Sequence, residues 1–147
     1  MNEICKSDEL VKLLGCTGKE DPEDMILYKR CFPYEYIPDT VTGTERFISF
    51  DIGSILNEKN HTYNDLTVSF YIICHPDAVR YQEHNEETLW YDKAASELDR
   101  IFCDKNALGF GKASLLSNEP YSPQKNLIGR ILKFAVRDFN NGSKYGK

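Results

Sequence analysis

The chain has 147 residues, 41% hydrophobic and 28% charged, with 23 acidic against 18 basic side chains and a net charge of −5. That is one ordinary domain's worth of chain, able to bury a core without disulfides or metals and too hydrophobic to stay disordered throughout. No apolar run approaches the ~20 residues of a membrane helix, and the acidic balance argues against a protein that holds nucleic acid by neutralising many phosphates.

The opening MNEICKSDEL has neither the basic nor the apolar region of a secretory signal, so none is expected there. Ser7 can cap a short helix, with Asp8 and Glu9 in its first turn and Gly15 closing it. Leu10, Val11, Leu13 and Leu14 share one face of it, and its start lies at Ser7 or as early as Asn2, because Ile4 falls at the edge of the same face. An acidic loop from Gly18 to Asp24 leads to Met25–Tyr28, which reads as the start of a strand. Pro33 and Pro38 then bracket an extended segment, residues 31–38, whose three aromatics pack on the domain surface or on a neighbour.

Glu45–Ile52 and Asp65–Cys74 alternate in the pattern of half-buried strands. The polar stretch 53–64 between them exceeds a hairpin turn and is a candidate contact loop. His75-Pro76 ends the second strand, and a polar, acidic stretch follows over 77–88. From Thr88, a plausible cap, to Cys103 the period is helical. Trp90, Tyr91, Ala94, Ala95, Leu98, Ile101 and Phe102 fall within about a 140° arc at ~100° per residue, with Glu97 on the polar side. Such a helix lies on the sheet made by the strands. Lys112–Leu116 reads as a strand, Asn118–Pro123 as a loop and Leu127–Phe139 as the last strand. Apolar residues on both faces of that strand make it interior or covered by a partner. The order gives an α+β fold, an antiparallel β-sheet with two main helices packed on it, in one domain over 1–140 with a mobile tail over 141–147.

No pattern names a reaction. The five cysteines, Cys5, Cys16, Cys31, Cys74 and Cys103, are odd in number and lack a CxxC pair, which fits small buried hydrophobes in a reducing compartment. Cys74 and His75 would point to opposite faces of a strand and cannot share a metal. Asn60 and Asn141 match the glycosylation pattern, which carries no weight without secretion. His61, His75 and His84 each lack a nucleophile and an orienting acid in a recognisable frame. Gly109–Ser114 departs from a phosphate loop in its first glycine and in the alanine after the lysine, and reads as a turn or bulge. Asp77, Glu83, Glu86, Glu87 and Asp92 read as surface charge rather than a metal cluster. Arg130, Lys133 and Arg137 do not align into a basic stripe. Aromatics outside regular core positions, among them Phe32, Tyr34, Tyr36 and Tyr63, are candidates for protein contacts or for caps on the domain's own core.

The layout has a likeness. A helix ending in LLG, the segment CFPYEYIPDT, the strands RFISFDI and LTVSFYIICH, an amphipathic helix and the closing IGRILKFAVRDFN span about Leu10 to Asn140. Together they resemble the small neck and tail-completion proteins of tailed bacteriophages, tail terminators especially. The resemblance implies a non-enzymatic virion protein without cofactor, metal or membrane contact, made in the host bacterial cytoplasm. It implies a homo-oligomeric ring, commonly a hexamer, that caps the tail tube protein and stops its polymerisation. The ring meets the head connector or stopper protein, and genomic DNA passes unread through its lumen. An acidic lumen would not trap moving phosphates. Phe32, Tyr34, Tyr36, Ile55, Leu56, Lys59, His61 and Tyr63 are the expected subunit or tube contacts. A head–tail adaptor is the near alternative. A monomeric bacterial interaction module, of the immunity or adaptor kind and using the acidic 77–92 stretch, is a second, and a small hydrolase acting through His75 or His84 a third.

Overall fold

Alternation of β-branched and aromatic residues builds the centre of the molecule, and one amphipathic helix covers it. The computed structural model describes residues 1–18, 21–39, 43, 45–56, 63–108 and 111–139, with the backbone alone at 56, 138 and 139. In chain order the elements are α1 (Asn2–Cys5), α2 (Asp8–Leu13), α3 (Pro22–Ile26), β1 (Cys31–Phe32), β2 (Arg46–Leu56) and β3 (Tyr63–Cys74). A short 3-10 turn (Pro76–Ala78), β4 (Arg80–Glu83), β5 (Glu86–Leu89), α4 (Trp90–Phe102), β6 (Ser114–Gln124) and β7 (Leu127–Phe139) follow. The main sheet runs β1-β2-β3-β7-β6, with β1 parallel to β2 and every other pair antiparallel, while β4 and β5 form a separate hairpin. The fold is α+β, and β7 is an interior strand.

The sheet face that carries Ile48, Val68, Phe70, Ile72, Leu132, Phe134 and Val136 is buried under α4, which contributes Trp90, Ala94, Leu98 and Phe102. Phe70 stacks on Phe102 at 4.9 Å between centroids and meets Phe134 edge-on at 5.9 Å. Ile4, Leu10 and Leu13 extend this core into the two N-terminal helices. The joint is polar. The Leu13 carbonyl, at the end of α2, accepts from Trp90 Nε1 at 2.7 Å and from Arg46 Nη1 at 3.4 Å. Arg46 also donates to the carbonyls of Ala78 (3.2 and 3.0 Å) and Arg80 (3.2 Å), and lies over the Trp90 ring at 5.4 Å. Ser7 Oγ caps α2 by accepting from the Leu10 N–H and donates to Glu97 Oε1 at 2.8 Å.

Backbone constraints select two glycines. Gly15 sits just past α2 at φ +71°, the left-handed geometry that closes helices. At Gly129 a Cβ would stand 1.7 Å from the Ile72 carbonyl oxygen, so only glycine lets β7 approach β3 there.

Several expectations need correction. Met25 and Ile26 belong to α3, not to a strand. Asp21 caps that helix by accepting from the Glu23 N–H at 3.0 Å, and Pro22 occupies its first turn, so local N-terminal signals outweigh a short apolar run. Stretch 53–64 is not all loop: β2 continues to Leu56 and β3 begins at Tyr63, with Leu56 opposite Asn64, because ladder bonds come from the backbone whatever the side-chain polarity. Residues 80–89 form a hairpin whose turn, His84-Asn85, takes φ +50° and +67°, the mirror-image turn that suits twisted strands. The helix therefore starts at Trp90 without a side-chain cap, and Thr88 lies in β5. Asn118–Pro123 is strand rather than loop. It is an edge that tolerates Pro120 and Pro123, with irregularities between Leu115 and Ser117 and between Tyr121 and Gln124. Of the two main helices only α4 is long. The N-terminal one breaks at Lys6-Ser7 into α1 and α2. Glu97, expected in solvent, is buried.

That burial has a pH consequence. Arg100, at 2.8 and 2.6 Å, together with the Ser7 hydroxyl, holds the Glu97 carboxyl below the usual carboxylate range. A depressed folded pKa stabilises the fold above the ordinary pKa of about 4.5, and that stabilisation is lost as pH falls through the folded value. Glu97→Gln should therefore be less stable than wild type at pH 7, with the gap closed at an acid pH below the folded value. Urea denaturation at both pH values measures it, and a pH-independent gap would remove the carboxylate from the account.

Candidate assembly surface

Residues 31–38 pack on the sheet face opposite α4. Phe32 pairs through β1 with Ser49 of β2, and its ring stacks on Tyr36 at 3.8 Å and 17°. Tyr36 meets Phe47 edge-on at 5.4 Å, and its N–H donates to Ser49 Oγ at 3.3 Å. Phe32, Phe47, Ile73 and Leu127 thus form a small second core, flanked by Tyr36, Ile37 and Tyr121. Tyr121 donates its hydroxyl to Glu35 and lies 5.3 Å from the Tyr71 ring. Burial, then the Glu35 carboxylate, push the Tyr121 phenol far up, and the same two causes raise Tyr71. The segment covers its own sheet. Phe32 is buried and Tyr36 half-buried, which leaves Tyr34, 50% exposed, as the ring that faces solvent.

The far end of the sheet differs. Ile55 is 74% exposed, and Tyr63 is half-buried beneath the Arg137 guanidinium at 5.8 Å. Leu56 ends β2 opposite Asn64, while Lys59 and His61 lie outside the described residues, as do Asn60, Gly109, Phe110 and the 141–147 tail. Exposed large apolar side chains gather on the two outer long strands, Ile52 and Ile55 on β2 and Leu115 and Leu116 on β6. Beside the β2 edge runs an apolar groove of about 250 Å³, walled by Phe50, Ile52, Val68, Phe70, Phe102 and Leu108. Sequence reasoning missed Ile52, Leu115 and Leu116. The adjacent leucines were the available signal, since a strand cannot bury both of two consecutive residues on one face.

Several titratable groups among the described residues serve the fold. His75 Nδ1 accepts from the Asp77 N–H at 3.2 Å, a strand-end role, and His84 occupies the hairpin turn. Glu83 binds Lys12 and Lys93, Glu87 lies 3.6 Å from Arg80, and Asp92 holds Arg130 at 2.7 Å, so much of the acidic 77–92 stretch is paired within the chain. Burial raises the Cys31 thiol to about 12 and Cys74 to about 11, which makes them inert packing groups. Cys5 and Cys16 are also buried, and Cys103 is half-buried. Among the described residues no cluster of three or more His, Cys, Asp or Glu could hold a metal. No helix among them is long and apolar enough to cross a membrane.

The two aromatic roles separate on mutation. Tyr36→Ala should cost about 2–3 kcal/mol through lost stacking and burial, and Tyr34→Ala under about 0.5 kcal/mol. Denaturation midpoints compare them, and equal losses would deny the packed role of Tyr36.

A family model, YomW, matches residues 7–136. YomW is a Bacillus phage SPbeta-region protein. A comparison with curated proteins finds no match.

Proposed function

Because the chain belongs to the phage-associated YomW family, we propose that it is a structural virion protein of the phage neck, a tail terminator subunit that closes into a ring, caps the tail tube and joins it to the head connector. The observation that carries this reading is the placing of exposed apolar side chains. Ile52, Ile55, Leu115 and Leu116 stand on the two outer strands of one sheet, where a lone molecule gains nothing from them. Two unlike surfaces on opposite flanks suit a head-to-tail interface, which closes into a ring when its rotation allows.

The rigid part of each subunit is the sheet with α4 clamped across it. The protruding ends of β2 and β3 reach the neighbour and the tube, and exposed Tyr34 offers a further contact. The net charge of −5 suits a lumen through which DNA slides without being held. A head–tail adaptor would use the same surfaces with a different axial neighbour. The monomeric interaction module is less favoured, since Glu83, Glu87 and Asp92 are occupied by the chain's own cations.

Light scattering with negative-stain imaging of the concentrated protein, alone and mixed with its tail tube protein, tests the proposal. Rings with a DNA-sized hole are expected, of about six subunits by the likeness to tail terminators. Ile55→Asp should stay folded and lose them. A strict monomer under both conditions, or unfolding of Ile55→Asp, would contradict it.

A further inference from the structure

We propose that neighbouring copies join edge to edge, the outer side of β2 over Phe50–Gly53 pairing antiparallel with β6 over Ser114–Asn118 of the next copy. This deepens the ring reading and rests on it.

The β2 edge is open and built to pair. The Ile48 N–H donates to the Arg30 carbonyl at 2.9 Å, away from β3, so every second N–H from there, at Phe50, Ile52 and Ser54, also turns outward. β1 covers β2 only at Ile48 and Ser49, and among the described residues no strand pairs with the outer side from Phe50 to Leu56. The outward Ile52 N–H is satisfied locally, by the Asp51 carboxylate at 2.8 Å. Lysine, proline and a bulge, which blunt an edge, are absent from Phe50–Leu56, and Asp51 is its one charged residue.

The β6 edge is blocked along one half. Pro120 and Pro123 lack the N–H that a further strand would need, whereas Ser114–Glu119 contains no proline and is interrupted only by the irregularity between Leu115 and Ser117, which leaves Leu115 and Asn118 on one side of the ladder with Phe134 and Leu132.

The open halves lie at the same level of the sheet. Following the pairing across it, Phe50 is level with Phe70, Leu132 and Asn118; Ile52 with Val68, Phe134 and Leu115; Gly53 with Thr67, Ala135 and Ser114. A copy set beside β2 without slippage therefore brings Ser114–Asn118 to the uncovered side of Phe50–Gly53, and the pairing stops there, because Glu119 and Pro120 come level with Ser49 and Ile48, which β1 already covers. It also puts exposed Leu115 against exposed Ile52, on the α4 side and at the mouth of the apolar groove.

Direction agrees as well. β2, β3, β7 and β6 alternate, so β6 runs opposite to β2, and a neighbour related by advance along the sheet presents β6 antiparallel with its own helices on the same side. An isologous β2–β2 pairing would leave Leu115 and Leu116 uncovered.

Disulfide trapping reads this geometry. Ile52→Cys and Leu115→Cys are made in separate chains, mixed and oxidised, with wild type and each single variant as controls for the native cysteines. Opposed residues of antiparallel strands stand about 4.5–5.5 Å apart at Cα, within disulfide range. A covalent dimer that forms at least tenfold faster in the mixture than in either variant alone is expected, with the link between the two introduced thiols confirmed by mass spectrometry. A homodimer of Ile52→Cys alone, or no link in a sample whose mass is oligomeric, overturns the edge pairing and leaves the ring standing. A monomeric mass throughout overturns both.

Discussion

The Leu13 carbonyl is the point on which the arrangement turns. It ends α2, and it accepts from the indole of Trp90, the first residue of α4, and from the guanidinium of Arg46, the first residue of β2. Three elements distant in sequence meet on one acceptor beside fully buried Leu13 and Trp90. A buried carbonyl must be satisfied, and Arg46 extends the duty to the carbonyls of Ala78 and Arg80, which hold the approach to the β4–β5 hairpin. The start of β2 and the start of α4 are thereby set against each other. The helix comes to rest across the central strands, where Val68 and Phe134 are buried, and leaves Ile52 and Leu115, level with them on the flanking strands, exposed.

The sheet is consequently asymmetric. On one face α4 and the N-terminal helices bury Ile48, Phe70, Ile72, Leu132 and Phe134. On the other, residues 31–38 cover only the end near Phe47, Ile73 and Leu127. β1 and the prolines of β6 close both flanks at that same end. What stays open is the two flanks away from that end, where Ile52 and Ile55 on β2 and Leu115 and Leu116 on β6 reach solvent. Two unlike flanks, open over the same stretch of the sheet, are what a subunit needs to add copies along a single direction.

Strong periodicity made the skeleton legible. β3, β7 and the apolar arc of α4 follow from alternation or helical spacing over ten or more residues, and Ser7 and Gly15 mark the ends of α2 with their own chemistry. The failures share a cause: local composition does not report backbone pairing. Ser54 and Asn64 read as loop yet sit in strands held by the ladder, Pro120 reads as a break yet suits an edge, and Tyr81 to Leu89 hides a hairpin behind charged residues. Glu97 reads as solvent-facing because its partners, Ser7 and Arg100, neutralise it in three dimensions. Of the expected contact residues, Ile55 stands exposed on the open β2 flank, whereas Phe32 and Tyr36 turn inward on Phe47, since an aromatic between prolines has no periodicity to tell its direction.

The central claim is that the outer side of β2 is where copies meet. Hydrogen exchange at the amides of Phe50, Ile52 and Ser54, followed as protein concentration rises through assembly, tests it most directly. The account predicts fast exchange in the dilute monomer and at least tenfold slower exchange in the oligomer, with the amides turned toward β3 unchanged. Oligomerisation without added protection at these three amides would contradict it.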